Sequence, residues 1–266
     1  MNITKLNREL IKPLENYLQR DPVKNAYIID ALRREKEKSD FYIAFESSMI
    51  QGVLLTYRGY VEGASAIFRG TEEAVYKLFD WTTGDERDSW ISCWVAPRLS
   101  DYFCTNLKMK NIFSGKILYA DKLGVRERAA HKVEILRKFD SASIAQTWKG
   151  WIQGTSLNEL EKSVEQGMSS NVNTYFGVKV DGDLISTACT TRVPPHTAIL
   201  RRVYTEPEYR NNGYGTAVVT KALTEELKTV DSVCLITRGK NESAQQLYEK
   251  LSFKKHWEFD WLDLFT

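Results

Sequence analysis

Hydrophobic positions along this chain switch between a period of about two and a period of about 3.6 residues, the signatures of strand and helix. Leu6, Leu10, Leu14, Tyr17 and Leu18 recur at helical spacing and predict an opening amphipathic helix. Asp21 before Pro22, with Val23, Tyr27 and Ala31 on one face, predicts a second helix capped by Asp21. Phe41 to Glu46, Ser47-Ser48 and Met49 to Tyr57 then read as strand, turn and strand. Ala64 to Gly70, Asp88 to Trp94 and Lys116 to Ala120 supply three more apolar stretches.

The second half runs in the same order. Val133 to Phe139 predicts a strand, Ser141 to Ile152 and Leu157 to Met168 a helical region, and Tyr175 to Thr191 a hairpin turning at Asp181-Gly182-Asp183. Ala198 to Tyr204 is a strand, followed by a helix in which Val218, Val219, Ala222, Leu223 and Leu227 face inward and Lys221, Glu225 and Lys228 outward. A buried strand, Val233 to Ile236, and an aromatic last strand, His256 to Leu264, complete the series. Matching order predicts a divergent internal repeat. Ala64 answers to Ala198 and Asp88 to Asp231, so the first copy is shorter across the intervening loop. Lys116 to Ala120 would close the first copy and His256 to Leu264 the second. Asp121 to His131, charged and poor in apolar residues, reads as the junction.

Between strand and helix in the second copy lies Arg210-Asn211-Asn212-Gly213-Tyr214-Gly215-Thr216-Ala217. A strand, a glycine-bearing loop and a helix start make a phosphate cradle: amide groups at the helix start lack partners, and the aligned dipoles favour an anion. Glycine permits positive φ and lets a phosphate approach bare backbone. The helix carries no acid before Glu225, so nothing neutralises that end. A dinucleotide fingerprint would need a glycine at 218, where Val stands, and a P-loop would need a terminal Gly-Lys-Ser/Thr. A nucleotide-binding enzyme of another family is therefore disfavoured. Downstream, Ala244, Leu247, Tyr248 and Leu251 form one apolar stripe, with Ser243 and Gln246 predicted as a capping box.

These two segments resemble motifs A and B of the GNAT superfamily of acyl-CoA-dependent N-acyltransferases. Motif A, Arg/Gln-x-x-Gly-x-Gly/Ala, is filled by Arg210, Gly213 and Gly215; the lead-in Val203 to Arg210 matches as well. Motif B is filled from Asn241 through Ala244, Leu247, Tyr248 and Leu251 to Phe253, with Ser252 where the family usually has glycine. The resemblance implies an α+β (α/β mixed) fold of tandem GNAT-like domains, each a mixed, mostly antiparallel sheet flanked by helices. The domains would be 1–128, a degenerate partner, and 129–266, the catalytic domain. The layout is similar to that of glycine N-acyltransferase-like proteins. The implied cosubstrate is acetyl-CoA or another acyl-CoA. Its pantetheine would lie along Val203, Tyr204 and Thr205, and its diphosphate against Arg210, Asn211, Asn212, Gly213, Tyr214, Gly215 and Thr216. Asn241 would be a further coenzyme contact or a helix cap, and Tyr248 the acid that protonates the leaving thiolate or a core aromatic.

A phenol with a pKa of about 10 is already protonated at neutral pH, as that role requires. The general base is not legible: the strand carries Arg201 and Arg202 but no acid, leaving Glu206 just after it and His196 just before it. Strand alternation predicts the two arginines on opposite faces, one of them in the acceptor cleft, where it would favour an anionic acceptor. In the first copy Gly70 is the lone loop glycine and Glu72-Glu73 occupy the first helical turn, so that copy should hold no CoA.

Composition adds bounds. The chain has 266 residues, 42% hydrophobic and 27% charged, enough for two cores, and its formal net charge of +2 points to neither nucleic acid nor membrane. No signal peptide or membrane-spanning run is expected, and the predicted location is cytoplasmic. Cys93, Cys104, Cys189 and Cys234 lack Cys-x-x-Cys spacing, the three histidines are far apart, and no metal is expected. Trp257, Phe259, Trp261 and Leu264 would line a core, an acceptor pocket or a dimer edge, so a homodimer stays open. Two functions remain: an N-acyltransferase acting on a small or peptidyl amine, and a non-catalytic CoA-binding sensor or assembly module.

Overall fold

The computed structural model describes residues 1–58, 64–82, 87, 89–123, 131–150, 152, 154–193 and 195–265. Asp88, Trp151 and most of the charged junction (124–130) lie outside the described residues. Tertiary packing divides the chain into two compact units. One comprises Met1–Lys116, Arg238–Lys240 and Trp257–Thr266; the other comprises Ile117–Thr237 and Asn241–His256.

The first unit opens with a strand, β1 (Asn2–Lys5), not a helix. β1 pairs antiparallel with β2 (Ser39–Glu46), from Asn2 against Phe45 to Lys5 against Tyr42. Four residues are too short for alternation to show. Leu6 and Leu10 precede α1 (Ile11–Leu18), because Asn7 accepts the Glu9 and Leu10 amides and starts a tight turn first. α2 (Pro22–Arg34) begins as expected: Asp21 Oδ1 accepts the Lys24 amide at 3.0 Å and Pro22 fills the first helical position. β2 turns into β3 (Met49–Tyr57) through Ser47 and Ser48, both at positive φ (47° and 69°), the twist a two-residue hairpin needs. β4 (Ala64–Gly70), α3 (Glu72–Trp81), β5 (Trp90–Val95) and α4 (Ser100–Asn106) follow. The core under α3 and α4 is aromatic: Phe103 lies 5.0 Å from Phe68 and 4.5 Å from Phe79, ring centre to ring centre.

The second unit repeats this plan with β7 (Glu134–Ile135), α5 (Ser141–Lys149), α6 (Leu157–Ser169), β8 (Asn173–Val180) and β9 (Asp183–Val193), then β10 (Thr197–Thr205), α7 (Tyr214–Glu226), β11 (Ser232–Arg238) and α8 (Glu242–Lys250). In each unit the described pairings are antiparallel except one, β4 with β5 and β10 with β11. The predicted strand Val133 to Phe139 shrinks to two residues because Asp140 bends the chain, accepting the Arg137 amide at 2.7 Å and the Lys179 ammonium at 2.6 Å. Asp181 and Gly182 turn the β8–β9 hairpin, again with φ positive at both (51° and 94°). On α7, Val218, Val219, Ala222 and Leu223 are fully buried, while Lys221 and Lys228 bracket Glu225 at 2.7 Å on the outside. One buried charge was not foreseen. Glu226 is wholly inaccessible and is satisfied by Arg192 Nε and Thr190 Oγ1, each at 2.7 Å.

The last strands are exchanged relative to the repeat read from sequence. β12 (Lys254–Leu264) gives Trp257 onward to the first unit, where it pairs antiparallel with β5 and buries Leu262 and Leu264. β6 (Met109–Ala120) gives Ile117–Ala120 to the second, burying Leu118 and Ala120 there. By packing, residues 117–120 and 257–264 each fall in the other unit from the one that the expected blocks 1–128 and 129–266 would give them. Alternation shows that both segments are strands with one apolar face, but not which sheet receives them. Among the described residues no helix is long and apolar enough to cross a membrane, and no group of side chains is arranged to hold a metal.

Cys93, Cys189 and Cys234 are free and buried, and burial raises all three thiols, Cys189 to about 11 and Cys234 to about 12. Folded values above the unfolded thiol value of about 8.5 mean the unfolded chain loses these protons first. Their contribution is complete below about pH 8.5 and is lost as pH rises toward the folded values. Denaturant unfolding should show stability falling by about 2 kcal/mol or more per thiol between pH 8.5 and 10.5. Replacing Cys189 and Cys234 by Ala should flatten that slope; an unchanged slope would contradict the assignment.

Candidate functional site

β10 is bulged and parts from its neighbour. It pairs with β9 as far as Arg201 against Cys189 and resumes at Tyr204 against Thr187, so it carries one extra residue. Arg202 takes up the strain at φ 54°. With β11 it pairs in parallel only over Thr197–Ile199, against Ser232–Cys234. Beyond Ile199, Val203, Tyr204 and Thr205 lie outside that ladder, and side chains reach two of their carbonyls, Ser186 Oγ donating to Tyr204 O at 3.1 Å and Arg210 Nε to Thr205 O at 3.0 Å.

The bulge also corrects the expected alternation. Leu200 and Val203 pack in the core beneath α7, whereas Arg202 lies over the Trp148 ring at 4.3 Å. Arg201 stands opposite Cys189 in the ladder, and Cys189 packs with Trp148. The two guanidiniums thus share the face of Trp148 instead of dividing between two faces. Tyr204 joins them, its hydroxyl 3.2 Å from where a Cβ on Gly150 would stand, and donates to Glu206 Oε2 at 3.1 Å. His196 is at the opposite end of β10, its Nδ1 2.6 Å from Asp231 Oδ2. Of the two base candidates, only Glu206 stands at the end of β10 where the strands part.

The loop after β10 builds the helix start. Gly213 at φ 81° precedes α7 with no side chain capping it, and no acid occupies the first turn. The first helical hydrogen bond is Ala217 N–H to Gly213 O, at 2.9 Å. Helix geometry therefore leaves the amides of Tyr214, Gly215 and Thr216 without a helical partner, at the positive end of the dipole. The loop is held by its own side chains. Arg210 Nε donates to Thr205 O at 3.0 Å, and Asn212 Nδ2 donates to Arg210 O at 3.0 Å and Tyr209 O at 3.3 Å. Asn211 takes a left-handed φ of 63°, which Asn tolerates better than most residues. Gly215 has a different use from Gly213. A Cβ there would stand 3.3 Å from Leu247 Cδ1 and 3.5 Å from Thr205 Oγ1, so its absence lets α8 and β10 close on the helix start.

His131 was missed. Its Nε2 donates to Asn212 O at 2.7 Å, and its ring stacks on Tyr214 with centres 4.0 Å apart. Nothing in a charged junction segment marks a histidine as the wall of a loop 81 residues away.

α8 is capped two residues earlier than the Ser243 capping box implied. Asn241, not Ser243, is the cap: its Oδ1 accepts the Ala244 amide at 3.3 Å, and Ser243 Oγ donates to the same oxygen. Among the described residues Asn241 bonds to its own helix, and no bond joins it to the cradle. Tyr248 is buried at 7% exposure in the core shared with Leu200 and Leu235, edge-on to Phe253, and burial pushes its phenol to about 12. Ser252 ends the helix as a glycine would, at φ 63°, with Phe253 N–H reaching Tyr248 O at 2.9 Å. A separate shallow cavity of about 370 Å³ lies between β7 and β8, lined by Arg137, Asn173 and Tyr175 among others. None of its lining residues belongs to the cradle.

Comparisons with known proteins agree with this geometry. Residues 144–253 match the sequence model of the Acetyltransferase (GNAT) family. Comparison with curated proteins finds no match. Among solved structures, a Drosophila protein aligns over 99% of this chain and 98% of its own, with a TM-score of 0.70 and 14% identity. A tandem GNAT protein from the clavulanic acid biosynthesis pathway, solved without AcCoA, covers 98% of both chains at TM-score 0.67 and 10% identity. A GNAT-family acetyltransferase from Colwellia psychrerythraea covers 100% of both at TM-score 0.60 and 12% identity. The fold is that of tandem GNAT proteins: mixed, mostly antiparallel sheets flanked by helices.

Ser252 holds a left-handed conformation at a cost of about 1 kcal/mol that glycine avoids. Ser252→Gly should raise the midpoint of thermal unfolding by a few degrees without altering ligand affinity; a lower midpoint would show that the serine side chain contributes something unseen here.

Proposed function

We propose that this protein is an N-acyltransferase that transfers an acyl group, acetyl in the simplest case, from acyl-CoA to a small or peptidyl amine. The observation that carries the reading is the pairing of an uncapped, acid-free helix start with a strand that parts from its parallel neighbour. The first suits a diphosphate and the second suits an extended amide-bearing chain, and coenzyme A has both. The GNAT match over residues 144–253 and the tandem GNAT fold support acyl transfer in general.

In this reading the amides of Tyr214, Gly215 and Thr216 hold the diphosphate, with Arg210, Asn211, Asn212 and Gly213 shaping the loop. The backbone of Val203, Tyr204 and Thr205 bonds the pantetheine arm, and a donor from the same edge steadies the charge that develops on the carbonyl oxygen. Tyr248 supplies the proton that the sulfur takes as it leaves. Its raised value keeps it protonated throughout the range where an amine can react, so it imposes no alkaline limb below about pH 10. Asn241 serves by fixing the start of α8. The first unit solves the same local problem differently. Thr71 caps α3, Glu72 and Glu73 fill its first turn, and Glu72 pairs with Arg98 at 2.7 Å. A second diphosphate there would meet negative charge.

Arg201 and Arg202, on the face of Trp148, favour an acceptor amine that also carries a carboxylate or phosphate. CoA release measured over a panel of amines tests the whole reading. Turnover should appear with at least one class of amine, and Tyr248→Phe should lower kcat about 10²-fold while leaving KM for acyl-CoA nearly unchanged. Arg201→Met and Arg202→Met should cost more on anionic than on neutral amines; equal losses on both classes would reject the anionic acceptor. Tight CoA binding with no release over the panel would favour a sensor or assembly module instead.

A further inference from the structure

Among the described residues, the first unit carries a buried cation with no carboxylate bonded to it. Arg69, on β4, is 4% exposed. Among the described residues its guanidinium makes one hydrogen bond, Nη1 to the neighbouring Phe68 carbonyl at 2.8 Å, and its buried Nε makes none. Its other partner is the Trp257 ring, 4.2 Å below the guanidinium carbon. Lys24, from α2, lies over the same ring at 4.7 Å. Two cations on one indole repel each other, and Lys24 is depressed by burial and by Arg69. Burial likewise lowers Arg69, to about 9.

Among the described residues the surroundings compensate only in part. The groups acting on the pair are Tyr17, Asp21 and Arg98. Asp21 is the single acid among them, and one of its oxygens already caps α2. The Tyr17 hydroxyl donates to Gln51 O, and Arg98 is committed to Glu72. From Trp257 an aromatic row runs along the face. Trp257 stacks on Phe259 at 5.7 Å, Phe259 on Trp94 at 5.2 Å, and Trp94 meets Trp261 at 4.8 Å. The indole N–H groups of Trp94 and Trp261 are buried without a partner. The unsatisfied groups named here, Arg69 Nε and two indole nitrogens, are all donors. This is also where the β4–β5 ladder stops, its last pair being Ile67 with Trp94, so Arg69 stands on β4 two residues past the last parallel pair.

A buried guanidinium is expensive unless something anionic completes it, and desolvated donors beside it need an acceptor. We propose that the first unit binds a small organic carboxylate with a flat apolar body, its carboxylate held by Arg69 and Lys24 and its body against the partly exposed Trp257 ring that heads the aromatic row. The site is separate from the proposed coenzyme cradle and does not depend on it. It gives the copy that lacks a phosphate cradle a ligand of its own.

Benzoate is a suitable probe, with benzamide as its uncharged counterpart, titrated into the full-length protein by calorimetry and thermal shift. Benzoate should bind saturably and raise the melting temperature, and benzamide should bind at least about tenfold more weakly. Arg69→Met and Lys24→Met should each weaken benzoate by about 10- to 100-fold, the range for losing one charge-assisted hydrogen bond, while CoA affinity stays the same. Ligand-free Arg69→Met should melt no lower than the parent, because it removes an uncompensated buried charge. Should that variant fail to fold, the partly exposed Lys24→Met carries the test alone. Absence of benzoate binding, or equal binding by parent and Lys24→Met, would overturn the proposal.

Discussion

A helix cannot satisfy its own first amides, and the second unit leaves those of α7 uncapped while parting the strand beside them. These two features depend on each other. The bulge at Arg201 to Tyr204 turns the end of β10 away from β11, and Gly213, at φ 81°, carries the chain from that end into the helix. Gly215 lets Leu247 of α8 close on the helix start. Arg210, Asn212 and His131 hold the loop by bonds to carbonyls, so none of these three side chains takes up an amide of the helix start. A side-chain cap on α7 would be worth about 1 kcal/mol of stability, and its absence is the local cost of keeping an anion site open.

The two units apply one plan to opposite electrostatic ends. In the first, Thr71 caps α3, Glu72 and Glu73 neutralise its dipole, and Gly70 serves only a backbone crossing, since a Cβ there would fall 2.4 Å from Gln51 O. The cation that the second unit spreads across Arg201 and Arg202 appears in the first as Arg69, and each unit sets a guanidinium on an indole: Arg202 on Trp148 and Arg69 on Trp257. Duplication with divergence leaves such paired solutions: the scaffold persists while its charges are reassigned.

What the sequence made legible was local. The caps at Asp21 and the turns at Ser47-Ser48 and Asp181-Gly182 follow from side chains acting within a few residues, as does the inward face of α7. So does the uncapped helix start, because a missing acid and two glycines can be seen without a structure. What escaped reading is set by distant partners. β1 is too short to show alternation, and β6 and β12 fit either sheet by pattern alone. The bulge that brings Arg201 and Arg202 to one face adds one residue with no marker in composition. His131 and Glu226 owe their roles to Asn212 and Arg192, far off in sequence. Asn241 against Ser243 shows the same limit at short range, where two polar residues two positions apart compete for one cap.

The central claim is that bare amides at the start of α7 grip the diphosphate of coenzyme A, and Thr216→Glu tests it most directly. A carboxylate in the first turn complements the helix dipole, so the variant should be as stable as the parent or more stable by a few tenths of a kcal/mol. Calorimetric titration with CoA should nonetheless show affinity falling by at least about tenfold, because the new charge sits where the phosphates would. A variant that folds as well as the parent and binds CoA just as tightly would contradict the account.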